Sequence, residues 1–149
     1  MAIWFRDYQL SDIRTLKGLR SPDHHLAAHL GIEFTKLGED YLQGRMPVDD
    51  RTRQPFGILH GGASVALAET LGSIAGNLVI DTDRFSVVGQ EINANHVRAV
   101  SKGHVIGTAR PLHLGKRSQV WEIRIEDEAQ RLVCISRITL AVLERASGG

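Results

Sequence analysis

The stretch QPFGILHGGASVALAET, residues 54–70, decides the fold of this chain. It reads as a turn, a His-Gly-Gly corner at residues 60–62, and then a helix of small apolar residues. From Gly61 to about Leu78 the spacing gives Ala63, Leu67, Leu71, Ile74 and Leu78 to one large apolar side, while Gly62, Ala66, Gly72, Ala75 and Gly76 are small. A helix that is apolar or small nearly all round is expected to be buried. It is too short and too rich in glycine to span a membrane. Its one acid, Glu69, sits two turns in from the glycine pair, and the helix core offers no obvious reason for a carboxylate there.

Working outward, GIEFTKLG (31–38) and DYLQGRMPV (40–48) read as two strands joined by Gly38. Four more strands follow the helix: FSVVGQEINANHV (85–97), HVIGTARPLHL (104–114), QVWEIRIED (119–127) and LVCISRITLAVL (132–143). In the third of these, Trp121, Ile123 and Ile125 alternate with Glu122, Arg124 and Glu126, the pattern of a half-buried strand. The links are Gly103, the Gly115-Lys116-Arg117 turn and EAQR at 128–131. Links this short imply antiparallel hairpins, because parallel strands need long crossovers. The expected architecture is α+β: a curved antiparallel sheet wrapped around one long helix, its far face half exposed unless a second subunit covers it. One domain fills residues 1–149, with a core at about 30–143. The segment 1–29 carries short helical patterns, with Ser11 and Ser21 as candidate caps and Pro22 at a first helical position. The final SGG reads as a frayed tail.

The composition is that of an ordinary globular domain: 149 residues, 42% hydrophobic and 23% charged. A net charge of +1 gives no general attraction for a polyanion, so no nucleic-acid partner is expected. The single cysteine, Cys134, excludes an internal disulfide and a metal site built on paired cysteines. The N-terminus lacks the basic-then-apolar pattern of a signal peptide, and no apolar run approaches the length of a membrane span, so a cytoplasmic protein without membrane contact is expected. His24, His25 and His29 share a helical turn, but with no cysteine or acid cluster nearby they read as a solvated face and not as a metal site.

The residues around Glu69 suit chemistry on a carbonyl. Ala66, Glu69 and Ser73 share a face, and the small neighbours of Glu69 leave room for a ligand beside the carboxylate. A carboxylate in a partly dry pocket is a stronger base or nucleophile than one in water. The first N–H groups of a helix have no internal acceptor and lie at the positive end of its dipole, so Gly61 suits a developing oxyanion. The alternative reading of the corner is a tight turn in which His60 caps the helix. Gln54 adds an amide donor. Amide, imidazole, N–H and carboxylate together fit attack on an acyl group.

Residues 54–70 and VGQEINANHVRAV at 88–100 closely resemble the hotdog-fold acyl-CoA thioesterases. The similarity is to the branch with its acid on the central helix, which includes 4-hydroxybenzoyl-CoA thioesterase and the PaaI-like enzymes, and it spans about residues 30–143. The resemblance implies Glu69 as nucleophile or general base, the Gly61 N–H polarising the thioester carbonyl, Gln54 and His60 assisting, and Ser73 orienting water or the acyl group. It also implies CoA contacts at Gly89, at His96, Val97, Arg98 and Ala99, and at His113, Leu114, Gly115, Lys116, Arg117 and Ser118. Arg98, Lys102, Lys116 and Arg117 would supply cations for phosphate, or else form a solvated basic rim. No cofactor is implied beyond the CoA of the substrate, whose acyl group would be aromatic or of medium length. A hotdog hydroxyacyl dehydratase and a non-catalytic acyl-CoA sensor are the competing readings.

Spacing adds an expectation about assembly. Gly61 and Glu69 are eight residues apart, about 12 Å along a helix axis, too far for one carbonyl to meet both. A homodimer with the two helices antiparallel would bring Glu69 of one chain to Gly61 of the other and create two identical sites. The resemblance agrees and implies further assembly into homotetramers.

Overall fold

The computed structural model describes residues 1–21 and 23–146. The expectations for Pro22 and the SGG tail fall outside the described residues. After a 3₁₀ turn at Leu10–Thr15 and a short helix α1 (Leu26–His29) come β1 (Glu33–Leu37), β2 (Leu42–Pro47), the long helix α2 (Gly61–Val79), and then β3 (Phe85–His96), β4 (His104–Leu114), β5 (Ser118–Asp127) and β6 (Leu132–Glu144). The six strands form one antiparallel sheet in the order β1-β2-β4-β5-β6-β3. The α+β architecture and the order of elements follow the sequence expectation.

Helix α2 packs against β2 through β6. Leu67, Leu71, Ala75 and Leu78 are fully buried and meet Met46, Val105, Trp121, Ile123 and Leu140 from the sheet. The small residues set how closely helix and sheet approach. A Cβ at Gly72 would lie 2.6 Å from Ile138 Cγ2, and one at Gly107 would lie 2.6 Å from Leu71 Cδ1. The buried amide of Gln119 is satisfied on both sides: Nε2 donates to the Gly76 carbonyl (3.3 Å) and Oε1 accepts from Trp121 Nε1 (2.9 Å).

The expectation of burial all round α2 is corrected. Gly62 and Glu69 are exposed, and Ala66, Ser73 and Asn77 are half-buried. These residues form an uncovered face, because a single sheet wraps only part of a helix. The caps in the N-terminal segment differ too. The 3₁₀ turn starts after Gln9, not Ser11, and the Gln9 N–H donates to Asp12 Oδ2 (2.7 Å). Helix α1 is capped by His25, not Ser21, with Nδ1 accepting the Ala28 N–H (3.1 Å). An imidazole nitrogen does there what a serine hydroxyl would do. Among the described residues no group of three or more His, Cys, Asp or Glu is placed to hold a metal ion. No described helix is long and apolar enough to cross a membrane.

Candidate active site

Buried Thr52 anchors the loop leading into α2. Its hydroxyl donates to the Pro47 carbonyl (2.7 Å) and accepts the Asp49 N–H (3.1 Å), while its own carbonyl accepts the His60 N–H (2.8 Å). The Leu59 N–H donates to the Val100 carbonyl (2.7 Å), tying the helix start to the loop after β3. Gln54–Gly57 is a turn, closed by Gly57 N–H to Gln54 carbonyl (2.9 Å), and Gly57 takes the left-handed φ of 85° that favours glycine. Gln54 Oε1 accepts the Phe56 N–H within this turn. The amide nitrogen of Gln54 is therefore the group left to donate elsewhere.

At the start of α2 both readings of the His-Gly-Gly corner hold at once. His60 caps the helix, with Nδ1 accepting the Gly62 N–H (2.7 Å). A neutral ring bonded in this way carries its proton on Nε2. The Ala63 and Ser64 N–H groups both reach the His60 carbonyl, at 2.9 and 3.2 Å. Of the first four helical N–H groups, only that of Gly61 has no acceptor among the described residues. The cap thus satisfies the neighbours of this donor and leaves the donor itself available.

Glu69, two turns on, is exposed and makes no hydrogen bond or ion pair among the described residues. The dry pocket expected around it is absent from a single chain. Its carboxylate lies over β3, with Oε1 3.4 Å from where a Cβ on Gly89 would stand. Gly61 meets the other end of the same strand, since a Cβ there would be 2.8 Å from His96 Nε2. Strand β3 therefore runs antiparallel to α2, with His96 at the helix start and Gly89 at Glu69.

The sequence reading missed how β3 brings both residues to the helix. Gly89 and His96 have opposite parity, so a regular strand would turn them to opposite faces. Between Gly89 and Glu91 the register with β6 shifts by one residue, leaving Gln90 unpaired. This bulge resets the alternation: Gly89 stands opposite Leu140, Ile92 opposite Ile138 and His96 opposite Cys134, all buried residues of β6. The sequence carries a trace of it, because inward Val87 and Gly89 give way to inward Ile92 and Ala94.

The CoA-contact residues implied by the resemblance fall into two groups that one chain holds apart. Val97, Arg98 and Ala99 are exposed in the loop after β3, where the Val97 N–H donates to the Val133 carbonyl (2.9 Å). His113, Leu114, Lys116 and Arg117 are exposed around the β4–β5 turn, and Gly115 and Ser118 are half-buried within it, joined by a 2.9 Å bond from the Gly115 N–H to the Ser118 carbonyl. The Arg117 carbonyl accepts the Val142 N–H (2.9 Å), so the two groups lie at β6 positions 133 and 142, about 30 Å apart at the rise of an extended strand. Gly89 and His96 line the helix instead, Gly89 opposite Leu140 and His96 opposite Cys134, beside the Val133 end. Ser73 is half-buried one turn beyond Glu69, and its carbonyl accepts Asn77 Nδ2 (2.9 Å).

This scaffold, a six-stranded antiparallel sheet around one long helix, recurs in known proteins. A family model described as "Thioesterase superfamily" matches residues 56–134. The chain is 61% identical to the "Proofreading thioesterase EntH" of Cronobacter turicensis over 79% of this chain and 85% of that one. It is 50% identical to the "1,4-dihydroxy-2-naphthoyl-CoA hydrolase" of Escherichia coli over 95% and 99% of the two chains. Among solved structures, a mutant thioesterase from Pseudomonas aeruginosa superposes with a TM-score of 0.90 at 40% identity, covering 97% of this chain and all of that one. A thioesterase from Haemophilus influenzae gives 0.86 at 46% identity, covering 95% of each. The chain belongs to the thioesterase superfamily, and its fold is the hotdog fold. It is a thioesterase, which sets aside the dehydratase and the non-catalytic sensor.

Proposed function

We propose that this thioesterase hydrolyses acyl-CoA esters in sites that two chains build together. The observation that carries the reading is the pairing of one free helical N–H, at Gly61, with one unpartnered carboxylate, at Glu69, on the same uncovered face. The thioester oxygen accepts the Gly61 N–H, and the helix start stabilises the negative charge that grows there. In the general-base form, Glu69 takes a proton from water as the oxygen attacks the carbonyl carbon. The tetrahedral intermediate then collapses, the C–S bond breaks, and the leaving CoA sulfur takes the proton from Glu69. In the nucleophilic form, Glu69 attacks the carbonyl carbon and the C–S bond breaks, expelling CoA thiolate; water then cleaves the resulting anhydride, freeing the acid and the Glu69 carboxylate, and a proton from that water goes to the thiolate. The Gln54 amide and His60 Nε2–H are donors near the carbonyl in either case.

The free edge of β3 supports the shared site. The level midway between Gly89 and His96 on β6 is Arg137, which faces Asn93. Two β3 edges meeting antiparallel about a two-fold axis at Asn93 would set Gly89 of one chain level with His96 of the other. Glu69 would then come to Gly61 of the partner chain, and the two helices would cover each other's open faces. The same operation carries the loop after β3 of the partner chain alongside Val87, which pairs with Val142, the residue bonded to Arg117. Arg98 of one chain and Arg117 of the other would thus meet at one end, as a CoA phosphate site needs. Pairing of such dimers would give the tetramer.

The name of one relative, the 1,4-dihydroxy-2-naphthoyl-CoA hydrolase, favours an aromatic acyl group. A panel of benzoyl-type, dihydroxynaphthoyl and straight-chain CoA esters, assayed for free-thiol release, tests the activity, and no release from any member ends the reading. The shared site is tested by mixing inactive Glu69→Ala with an inactive His60→Ala variant after subunit exchange. A mixed dimer holds one site with both residues intact and one with neither, so equal mixing recovers roughly a quarter of wild-type activity. No recovery despite demonstrated exchange places both residues in one chain's site.

A further inference from the structure

Each glycine of the pair at the start of α2 is fitted by a different imidazole. Neither Gly61 nor Gly62 takes a positive φ, so the backbone conformation does not call for glycine at either position. Space does. A Cβ on Gly62 would lie 2.9 Å from Nδ1 of His60, the ring that caps the helix. A Cβ on Gly61 would lie 2.8 Å from Nε2 of His96 and 3.1 Å from the two ring carbons beside it. The tip of the His96 ring therefore stands where the side chain of residue 61 would begin.

Bonding sets the two rings apart. His60 uses its Nδ1 on the Gly62 N–H (2.7 Å). His96 is exposed, and its ring makes no hydrogen bond or ion pair among the described residues. The Cα–Cβ bonds of a helix tilt toward its N-terminus, which is also the way its first, unpaired N–H groups point. Nε2 of His96 thus lies at the mouth of the helix, on the side to which the free Gly61 N–H is directed. Opposite buried Cys134, and on the inward side of β3 with Ile92 and Ala94, an apolar residue would serve packing as well. The ring nitrogens are what His96 adds there.

We propose that His96 is a further catalytic residue of the hydrolysis, its Nε2–H a second donor to the thioester oxygen beside the Gly61 N–H. The proposal rests on the reading of Gly61 and Glu69 given above. The oxygen only accepts hydrogen bonds, so a bound thioester selects the ring form with a proton on Nε2. Two fixed donors then share the charge that grows on that oxygen. The ring keeps its proton throughout, and the balance of the hydrolysis is unchanged. This role differs from the CoA contact expected at His96 from the sequence, and kinetics with two substrates separates them. One is an aryl-CoA ester, and the other carries the same acyl group on N-acetylcysteamine, which lacks the nucleotide. His96→Ala lowers kcat on the order of 100-fold with both, the lower range for removing one oxyanion donor, and leaves KM within a few-fold. His96→Gln, which offers an amide N–H at about the place of Nε2, recovers at least about tenfold of that loss. A loss confined to the CoA ester, or a rise in KM alone, overturns the proposal, as does a kcat unchanged with both. Gly61→Ala keeps the N–H of residue 61 and displaces the ring, so it loses activity to the same extent, and adding it to His96→Ala costs little more. This arm keeps the test open if a variant at residue 96 fails to fold, and full additivity in the double variant counts against the proposal. If the wild type cleaves neither thioester, the hydrolase reading fails separately. The infrared carbonyl band of a bound aryl ketone analogue of CoA then reads the donor directly: a higher frequency in His96→Ala sustains the proposal, and an unmoved band removes it.

Discussion

The two sides of α2 follow different rules. On the side toward the sheet, Leu67, Leu71, Ala75 and Leu78 are fully buried, and Gly72 is fixed by the close approach of Ile138. Volume decides each residue there. On the other side Gly62 and Glu69 are exposed, Ala66 and Ser73 are half-buried, and no packing constraint calls for an acid. One helix therefore carries a face specified by shape and, on the function proposed above, a face specified by chemistry, and substitutions on the two should separate stability from turnover.

The largest separation is expected at Glu69. Glu69→Ala lowers kcat at least about 100-fold, the lower range for removing a positioned base, with substrate binding nearly intact because the interaction acts mainly in the transition state. The unfolding free energy is not expected to fall, because Glu69 makes no hydrogen bond or ion pair among the described residues whose loss would cost stability. Steady-state kinetics and a denaturant melt on the same preparation check both halves. Near-normal kcat would remove Glu69 from the chemistry, and a large loss of stability would break the contrast between the faces.

Gly72→Ala should do the opposite. A Cβ there lands 2.6 Å from Ile138 Cγ2, on a β-branched side chain in the sheet that has little freedom to move. Overpacking of this kind costs about 1–3 kcal/mol. The chemical denaturation midpoint falls accordingly, while kcat measured well below the transition keeps the same order of magnitude. A Gly72→Ala protein of unchanged stability would show that helix and sheet are not held at the contact distance described.

The sequence made the shape-specified side legible and left much of the other side out. The periodicity of Leu67, Leu71 and Leu78 and the alternation of Trp121, Ile123 and Ile125 are consequences of burial, so they survive in one dimension. The free Gly61 N–H was implied by the glycine pair, but not that His60 would satisfy Gly62 and spare Gly61, which depends on one side-chain rotamer. The bulge at Gln90 left only a parity slip and the glycine just before it, Gly89, neither of which says that the strand turns both Gly89 and His96 to the helix. The distance between the two basic loops was invisible, since it depends on strand order: β3 pairs with β6 and not with β4, its neighbour in sequence. The openness of the Glu69 face was unreadable for a similar reason. A helix composed to be buried on all sides does not say which side its own chain covers.

The smallest expected effect concerns those basic loops. Arg98 and Arg117 are exposed and form no ion pair among the described residues. In one chain they lie at opposite ends of the sheet, so neither would be expected to influence the other's ligand. In the proposed pairing about Asn93 they would meet, one from each chain, over the same CoA phosphates. Arg98→Gln and Arg117→Gln should then each raise KM for acyl-CoA a few-fold, on the order of the roughly 1 kcal/mol upper range of an exposed ion pair. Each should also flatten the rise of KM with salt, because a screened contact has been removed. Short thioesters that lack the nucleotide should show neither change, since they carry no phosphate for the arginines to meet. Some loss of kcat with acyl-CoA is consistent with this role, as remote binding energy is also used in the transition state. An equal effect on both substrate types would assign the arginines to the fold instead. An effect from Arg117 alone would argue that the loop after β3 stays at the far end, and with it would go the register that brings Glu69 to Gly61 across the dimer.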